Sequence, residues 1–286
     1  MTGDHSDPVT IMLVSGTMKT PDKLGHHDYL GGCRVAALLL EQTSGVRVTV
    51  VRDGWPEDDG VLDAAGALVF YTGGVDKHAF LKSAQRIERI QRLVDRGIGL
   101  VMIHQAVRYP REFTRQATTW IGGVHVPGES GRGHWRSHHA EFPAHPVTRG
   151  VQPWDITDGW LNEIHFVDGM RGVTPLVWSS RKQGGSSEGG AADVVAWTYD
   201  RPGGGRSFCF TGLDAHAAWS VPGVRQLMVN GILWSAGLSV PPEGAPCAAD
   251  ETVLKNCLTP RGSRVTWAFR QLGRRLRRLA APHAHR

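Results

Sequence analysis

AFLKSAQRIERIQRLVDRG followed by IGLVMI, residues Ala79 to Ile103, sets two patterns side by side. In the first, Ile87, Ile90 and Val94 recur at the 3–4 residue spacing of an amphipathic helix with one buried face, and Gly97 supplies the left-handed stop. In the second, six apolar residues run without a polar break. That is the signature of a strand covered on both faces, as in a parallel sheet, and not of one that alternates between core and water. A helix feeding directly into such a strand is half of a βαβ unit. Three more apolar runs extend the pattern towards the N-terminus, at Val9–Val14, Val46–Val51 and Ala67–Thr72, with a helical segment at Tyr29–Gln42 after the first. Strands alternating with helices imply right-handed crossovers and an α/β fold with a mainly parallel sheet.

The second half is less regular. Strands are expected at Val194–Tyr199 and Arg206–Thr211, and a helix at Val221–Ala236, opened by Pro222 in its first turn. Arg181–Asp193, rich in Gly and Ser, reads as a loop. SVPPEGAP at Ser239–Pro246 reads as a Pro-rich linker, so the folded domain is expected over residues 1–240 and an appendage over 241–286. Within that appendage, Val265, Phe269, Leu272, Leu276 and Leu279 fall at helical spacing among arginines. This describes either a basic amphipathic helix for an acidic partner or anionic surface, or a solvated disordered tail.

Composition narrows the class. Hydrophobic residues make up 41% of 286, enough for a sizeable core, and 36 Gly and 10 Trp suit a loop-rich, enzyme-like fold. No apolar run approaches the ~20 residues of a membrane span. The polar start MTGDHSDPVT lacks the apolar core of a secretory signal. The expected location is therefore cytoplasmic, with Cys33, Cys209, Cys247 and Cys257 reduced and, lacking a CxxC pair, no thiolate metal site. The net charge of +5 is misleading. Eight arginines and no acid lie in residues 261–286, and removing them leaves residues 1–260 at −3. A body of that sign offers no nucleic-acid footprint.

In open parallel sheets function gathers at the carboxyl ends of the strands, and three features fall there. GHHDY (Gly25–Tyr29) puts His26, His27 and Asp28 at the mouth of the first helix, where His27 could bind a metal or move a proton and Asp28 could contact substrate or cap the helix. His104 follows the fourth strand directly. FTGLDAHAAW (Phe210–Trp219) places Asp214 and His216 two apart, on one side of the chain if it is extended, with Trp219 as a sugar-stacking wall. GHWRSHHAEFPAH adds His134, His138, His139 and His145, whose irregular spacing makes no metal motif. No GxGxxG follows a strand and no phosphate-binding GxxxxGK[ST] occurs, so a nucleotide cofactor is not expected. No GxSxG elbow occurs and no cysteine ends the fourth strand, which argues against a serine hydrolase or thiol amidotransferase.

These segments together resemble the ThuA-like (trehalose-utilisation) family over about Val9–Gly237. The resemblance rests on GHHDYLGGC (against the family's GxHEFxAGC), GLVMIHQAV, WIGG (Trp120–Gly123), HPVTRGV, GMRGVTPL and VPGVRQLMVNGILWSAG. It implies a flavodoxin-like, class I glutamine amidotransferase-like three-layer sandwich, with His104 near the turn where those enzymes carry a nucleophilic cysteine. It also implies a role in sugar catabolism and, in some members, a divalent metal held by histidines, zinc first among the candidates. On this basis His27, His104, His216 and Asp214 are the expected catalytic residues. The three histidines are the expected metal ligands, and Asp28, Asp158, Trp160 and Trp219 are the expected substrate contacts. His216 matches the second histidine of the family's GGHFH, and Asp214 stands at the first. In ITDGWLNE (Ile156–Glu163), Gly159 and Leu161 replace the acid and tyrosine of the family's DEWY or DEIY, which implies altered chemistry or substrate unless Glu163 substitutes through a local shift. The expected partner is a sugar-like small molecule and homo-oligomerisation is compatible with the sequence; the alternatives are a non-catalytic carbohydrate-binding or regulatory protein on the same fold and an enzyme recruited to secondary metabolism.

Overall fold

In a computed structural model the chain is described over residues 7–17, 25–179 and 192–259. The amphipathic segment expected around 264–281 and most of the loop expected at 181–193 lie outside the described residues.

The parallel half forms as its apolar runs require. β1 (Val9–Ser15), β2 (Val46–Val51), β3 (Ala65–Tyr71) and β4 (Gly99–Ile103) pair in parallel with β11 (Arg206–Phe210). β10 (Asp193–Asp200) and β9 (Val173–Ser179) then add antiparallel pairings, giving the order β2-β1-β3-β4-β11-β10-β9. Side chains alternate across each strand. Ile11, Leu13, Val69 and Val101 therefore join one core with helices α1 (Tyr29–Leu40) and α4 (Pro222–Ser235). Met12, Val14, Leu68, Phe70 and Met102 join a second core with α2 (Ala84–Asp95) and α3 (Thr114–Ile121). The result is the expected three-layer α/β sandwich with a mainly parallel sheet.

α2 starts later than the spacing suggests. Ser83 caps it by accepting from the Arg86 N–H, and Phe80–Lys82 forms a separate 3-10 turn. Two short two-stranded elements lie outside the main sheet: β5 (Gly123–Val124) with β8 (His165–Phe166), and a ribbon of β6 (Arg132–His139) with β7 (Trp154–Leu161). The ribbon stands over the carboxyl rim of β4 and β11 and supplies one wall of the cleft described below.

The stretch expected to be a linker from residue 241 instead packs on the body. Val240, Ala245, Leu254 and Cys257 are buried in the α1/α4 core. Asn230 and Gln226 of α4 bond to Ala245, Gln42 bonds to Ala248 in both directions, and α5 (Glu251–Cys257), capped by Asp250, lies against α1. The domain boundary expected at residue 240 is therefore not a structural one, because the apolar residues beyond it complete the core. All four cysteines are free, and Cys33 and Cys209 are buried in opposite cores. No described helix is long and apolar enough to cross a membrane.

Candidate functional site

Three chain segments meet at the carboxyl rim of the sheet. Residues 25–28 approach α1, residues 104–107 leave β4, and residues 211–216 leave β11. The first and third are pinned together through their backbones, with His27 N–H donating to Asp214 O (2.8 Å) and His216 N–H donating to Gly25 O (2.6 Å). His27, His104 and Leu213 hold φ at 50°, 55° and 65°, left-handed conformations that non-glycine residues seldom adopt. Each costs on the order of 1–3 kcal/mol and persists only where surrounding contacts enforce it; such outliers cluster at functional sites.

That backbone and strand β6 together aim four imidazoles at one carboxylate. Asp214 Oδ1 lies 2.8 Å from His27 Nε2 and 3.1 Å from His104 Nε2. Its Oδ2 lies 2.7 Å from His134 Nε2 and 3.1 Å from His26 Nδ1. Asp214 and His104 are buried, His27 is partly covered, and His26 and His134 are exposed. Burial opposes ionisation of Asp214, but the close approach of His104 and His27, with the His104 charge and the His134 hydrogen bond, outweighs it. Together they hold the carboxyl well below the usual carboxylate range. The group forms the base of a cleft of about 550 Å³, whose walls include Gln105, Arg132, Gly133, Trp160 and Leu161.

Gly159 makes this arrangement fit. It is the cross-strand partner of His134 in the ribbon, so the two share a face. A Cβ on Gly159 would lie 2.7 Å from Asp214 Cβ and 2.9 Å from its Oδ2, so the missing side chain is the space that the aspartate occupies. Glu163 does not substitute for an acid at 159. Its backbone N–H donates to Asp193 and its carbonyl accepts from Ser130, away from the cleft walls.

Beneath the cleft, Asp158 sits with its carboxylate buried. Oδ1 accepts from the Gly159 and Ala215 N–H groups, and Oδ2 accepts from the Leu213 N–H at 2.6 Å. Tyr71 completes the clamp by donating its hydroxyl to Leu213 O. Burial raises the Asp158 carboxyl, against the lowering effect of the His104 charge and the three N–H donors. Asp158 thus grips the turn that presents Asp214 and lies outside the cleft lining, where a substrate contact was expected.

Of the expected residues, His27, His104, Asp214 and Trp160 come together in the cleft, and three more do not. His216 opens a 3-10 turn, so the extended alternation that would align it with Asp214 ends there. Its Nε2 bonds to Leu254 O (3.0 Å), and its Nδ1 faces Asp28 at 3.8 Å. His216 is therefore not placed to share a metal or a proton with His27 and His104. Asp28 is buried and fully engaged as the α1 cap, accepting from Gly31 N–H and from both the N–H and hydroxyl of Thr259. Trp219 is 1% exposed within the α1/α4 core and offers no stacking wall. Conversely, the spacing of the histidine-rich stretch gave no reason to choose His134. Its role depends on a ribbon partner whose only sequence trace is Gly159.

Two donor sets could hold a cation: His27, His104 and Asp214, and His26, His134 and Asp214, each with ligand atoms within 4.8 Å of one another. The inner set fits one well. His104 Nδ1 lies 2.8 Å from Thr211 O, so that nitrogen donates its proton to the carbonyl. In the neutral ring Nε2 then carries a lone pair that faces Asp214 Oδ1 at 3.1 Å and the Gln105 amide at 3.4 Å, a position that a proton or a metal ion can take up. A ring nitrogen donating to a backbone carbonyl while the other faces the ion is the usual outer support of a metal-binding histidine, and two imidazoles with one carboxylate is a familiar zinc donor set.

Comparison with known proteins agrees with this architecture. Two solved structures share it: a ThuA-like protein from Parabacteroides merdae (TM-score 0.57, 16% identity, covering 85% of this chain and 96% of that one) and one from Bacteroides uniformis (TM-score 0.60, 12% identity, covering 82% and 95%). At these identities they establish the fold alone. No curated protein matches the sequence. A family profile described as "ThuA: Trehalose utilisation" matches residues 16–235, and the chain accordingly belongs to the ThuA family.

Proposed function

We propose that this protein is an enzyme of carbohydrate metabolism that moves protons on a sugar or keto-sugar held in the histidine-lined cleft, in a reaction of isomerase, lyase or hydrolase type. The observation that carries this reading is the convergence of four imidazoles on the ionised Asp214 at the base of the cleft. The family's association with trehalose utilisation supplies the substrate class.

A carboxylate behind an imidazole fixes its orientation and stabilises its protonated form, as in other His–Asp pairs. For a keto-sugar, one imidazole accepts the proton from the carbon beside the carbonyl. The C–H electron pair becomes the C=C bond as the carbonyl oxygen takes a proton from a second imidazole. His27 and His104 are held for such an exchange by covered positions and backbone contacts. His26 and His134, at the mouth, can leave Asp214 to meet substrate hydroxyls. A divalent cation, zinc first, belongs to the same proposal: His27, His104 and Asp214 would hold it, and when bound it would polarise a carbonyl or hydroxyl oxygen. The glycine at 159 favours a working site, since it admits Asp214.

The test is proton exchange. Protein purified without chelator is assayed for metal and incubated with keto-sugars in D2O, with NMR following deuterium uptake beside the carbonyl and any product. The wild type should catalyse exchange, and His27→Ala, His104→Ala and Asp214→Asn should each abolish it. Sugar binding without exchange would favour the non-catalytic alternative. Equal exchange in all three variants would reject the site.

A further inference from the structure

Asp214 is the sole acid among the cleft-lining residues, and both of its oxygens face imidazole nitrogens within 3.1 Å. No carboxylate in the lining is left for Arg132. This residue shares the exposed face of β6 with His134, two positions on, and lines the cleft with no hydrogen bond or ion pair from its side chain among the described residues.

A second guanidinium lies close behind. Arg108 Nη1 donates to Gln105 Oε1 (2.7 Å), and its Nε is buried without a partner. That bond turns the Gln105 amide N–H2 towards the cleft, where Nε2 lies 3.4 Å from His104 Nε2. Burial, and then the like charge of Arg132, push the Arg108 guanidinium below its usual range, while the Tyr29 hydroxyl acts in the opposite sense. Two arginines near enough to repel, with no second acid in the cleft lining, carry a cost that a bound anion would relieve. The planar guanidinium fork matches the oxygens of a carboxylate or phosphate.

Resting on the sugar-site reading above, we infer that the ligand of this cleft is acidic: a polyhydroxylated compound bearing a carboxylate or phosphate, whose oxyanion pairs with Arg132 and accepts from the Gln105 amide while its hydroxyls meet His26 and His134. Neutral sugars leave the arginine charges uncompensated and bind more weakly.

Calorimetric titration with glucose, gluconate, glucuronate and glucose 6-phosphate, at low and high salt, tests the inference in wild type, Arg132→Gln and His134→Ala. At least one acidic sugar should bind tenfold or more tighter than glucose at low salt, with the advantage shrinking at high salt. The carboxylate and phosphate arms identify which oxyanion is preferred. Arg132→Gln should erase the advantage. Acidic and neutral sugars binding equally, or a preference that survives Arg132→Gln, would overturn the inference. In that case glucose binding weakened by His134→Ala would still uphold the sugar site. If no sugar of any charge binds, both readings fall.

Discussion

The two oxygens of Asp214 face different worlds. Oδ1 looks inward to His27 and His104, whose side chains are 23% and 3% exposed, and Oδ2 looks outward to His26 and His134, at 51% and 64%. The contact distances are alike, but the energetics are not. The inner rings are fixed by left-handed backbones, by the Thr211 carbonyl and by stacking of His27 on Tyr29 and His104. The outer rings belong to a loop and to the exposed face of a ribbon, where water competes for every contact. One carboxylate thus joins a preorganised half-site to an adaptable one. The first suits chemistry that tolerates little displacement, and the second suits recognition of a ligand that arrives and leaves.

Removing the shared element should have the largest effect. Asp214→Asn keeps the shape but loses the charge, and Zn2+ affinity measured by chelator competition should fall more than ~100-fold, beyond the ~10–100-fold typical of an outer supporting residue. Gly159→Ala should produce a comparable loss without touching a ligand, because its new Cβ displaces Asp214, and should lower stability by about 1–3 kcal/mol as overpacking. Normal zinc binding by the Gly159→Ala protein would break the link between the ribbon and the aspartate. Next comes the inner half-site, where His104→Gln should weaken Zn2+ binding by about 100-fold, the upper end of that same range.

Three histidines that form no ion pair with a carboxylate among the described residues sharpen the contrast. His78, His125 and His139 are buried, each sharing one ring nitrogen with a backbone carbonyl and leaving the other without a partner. Burial pushes them down to about 3, 4 and 4 respectively. Their folded values lie below that of the unfolded chain, about 6.5, so the unfolded state binds more protons in acid. Stability should be intact above about pH 6.5 and should decline as pH falls towards about 4, by up to ~1.4 kcal/mol per pH unit for each histidine. Chemical denaturation across that range should show the decline, and His139→Gln should flatten it by one histidine's share. The smallest effect is expected at the outer half-site: His134→Gln should change Zn2+ affinity less than about tenfold, the scale of an exposed pair. A loss equal to that of His104→Gln would erase the inner–outer distinction.

How much of this was legible in the sequence follows from the kind of signal each part carries. β1 to β4 are short apolar runs whose burial depends on their own residues, and they formed within two residues of the expected ends. β6 and β7 are not of that kind. RGHWRSHH and WDITDGWL mix charged, aromatic and glycine positions, and their register is fixed only by each other. His134 could not be singled out without that register. His216 failed for a local reason, since alternation places it beside Asp214 only if the chain stays extended, and the turn at His216–Ser220 ends that. His104 was legible because the end of a buried strand fixes the sheet rim whatever lies above it, and His27 because it stands at the mouth of the first helix.

The segment that packs against α1 and α4 after residue 240 has one more consequence. Thr259 supplies two of the three hydrogen bonds on Asp28, the neighbour of His27, and Leu254 receives the bond from His216, the second residue after Asp214. A premature stop codon shortly after residue 240 would spare every strand of the main sheet and all of the matched family span. It would nonetheless strip the outer brace from the loops that carry His27 and Asp214, so such an allele would encode a recognisable protein with a slackened centre.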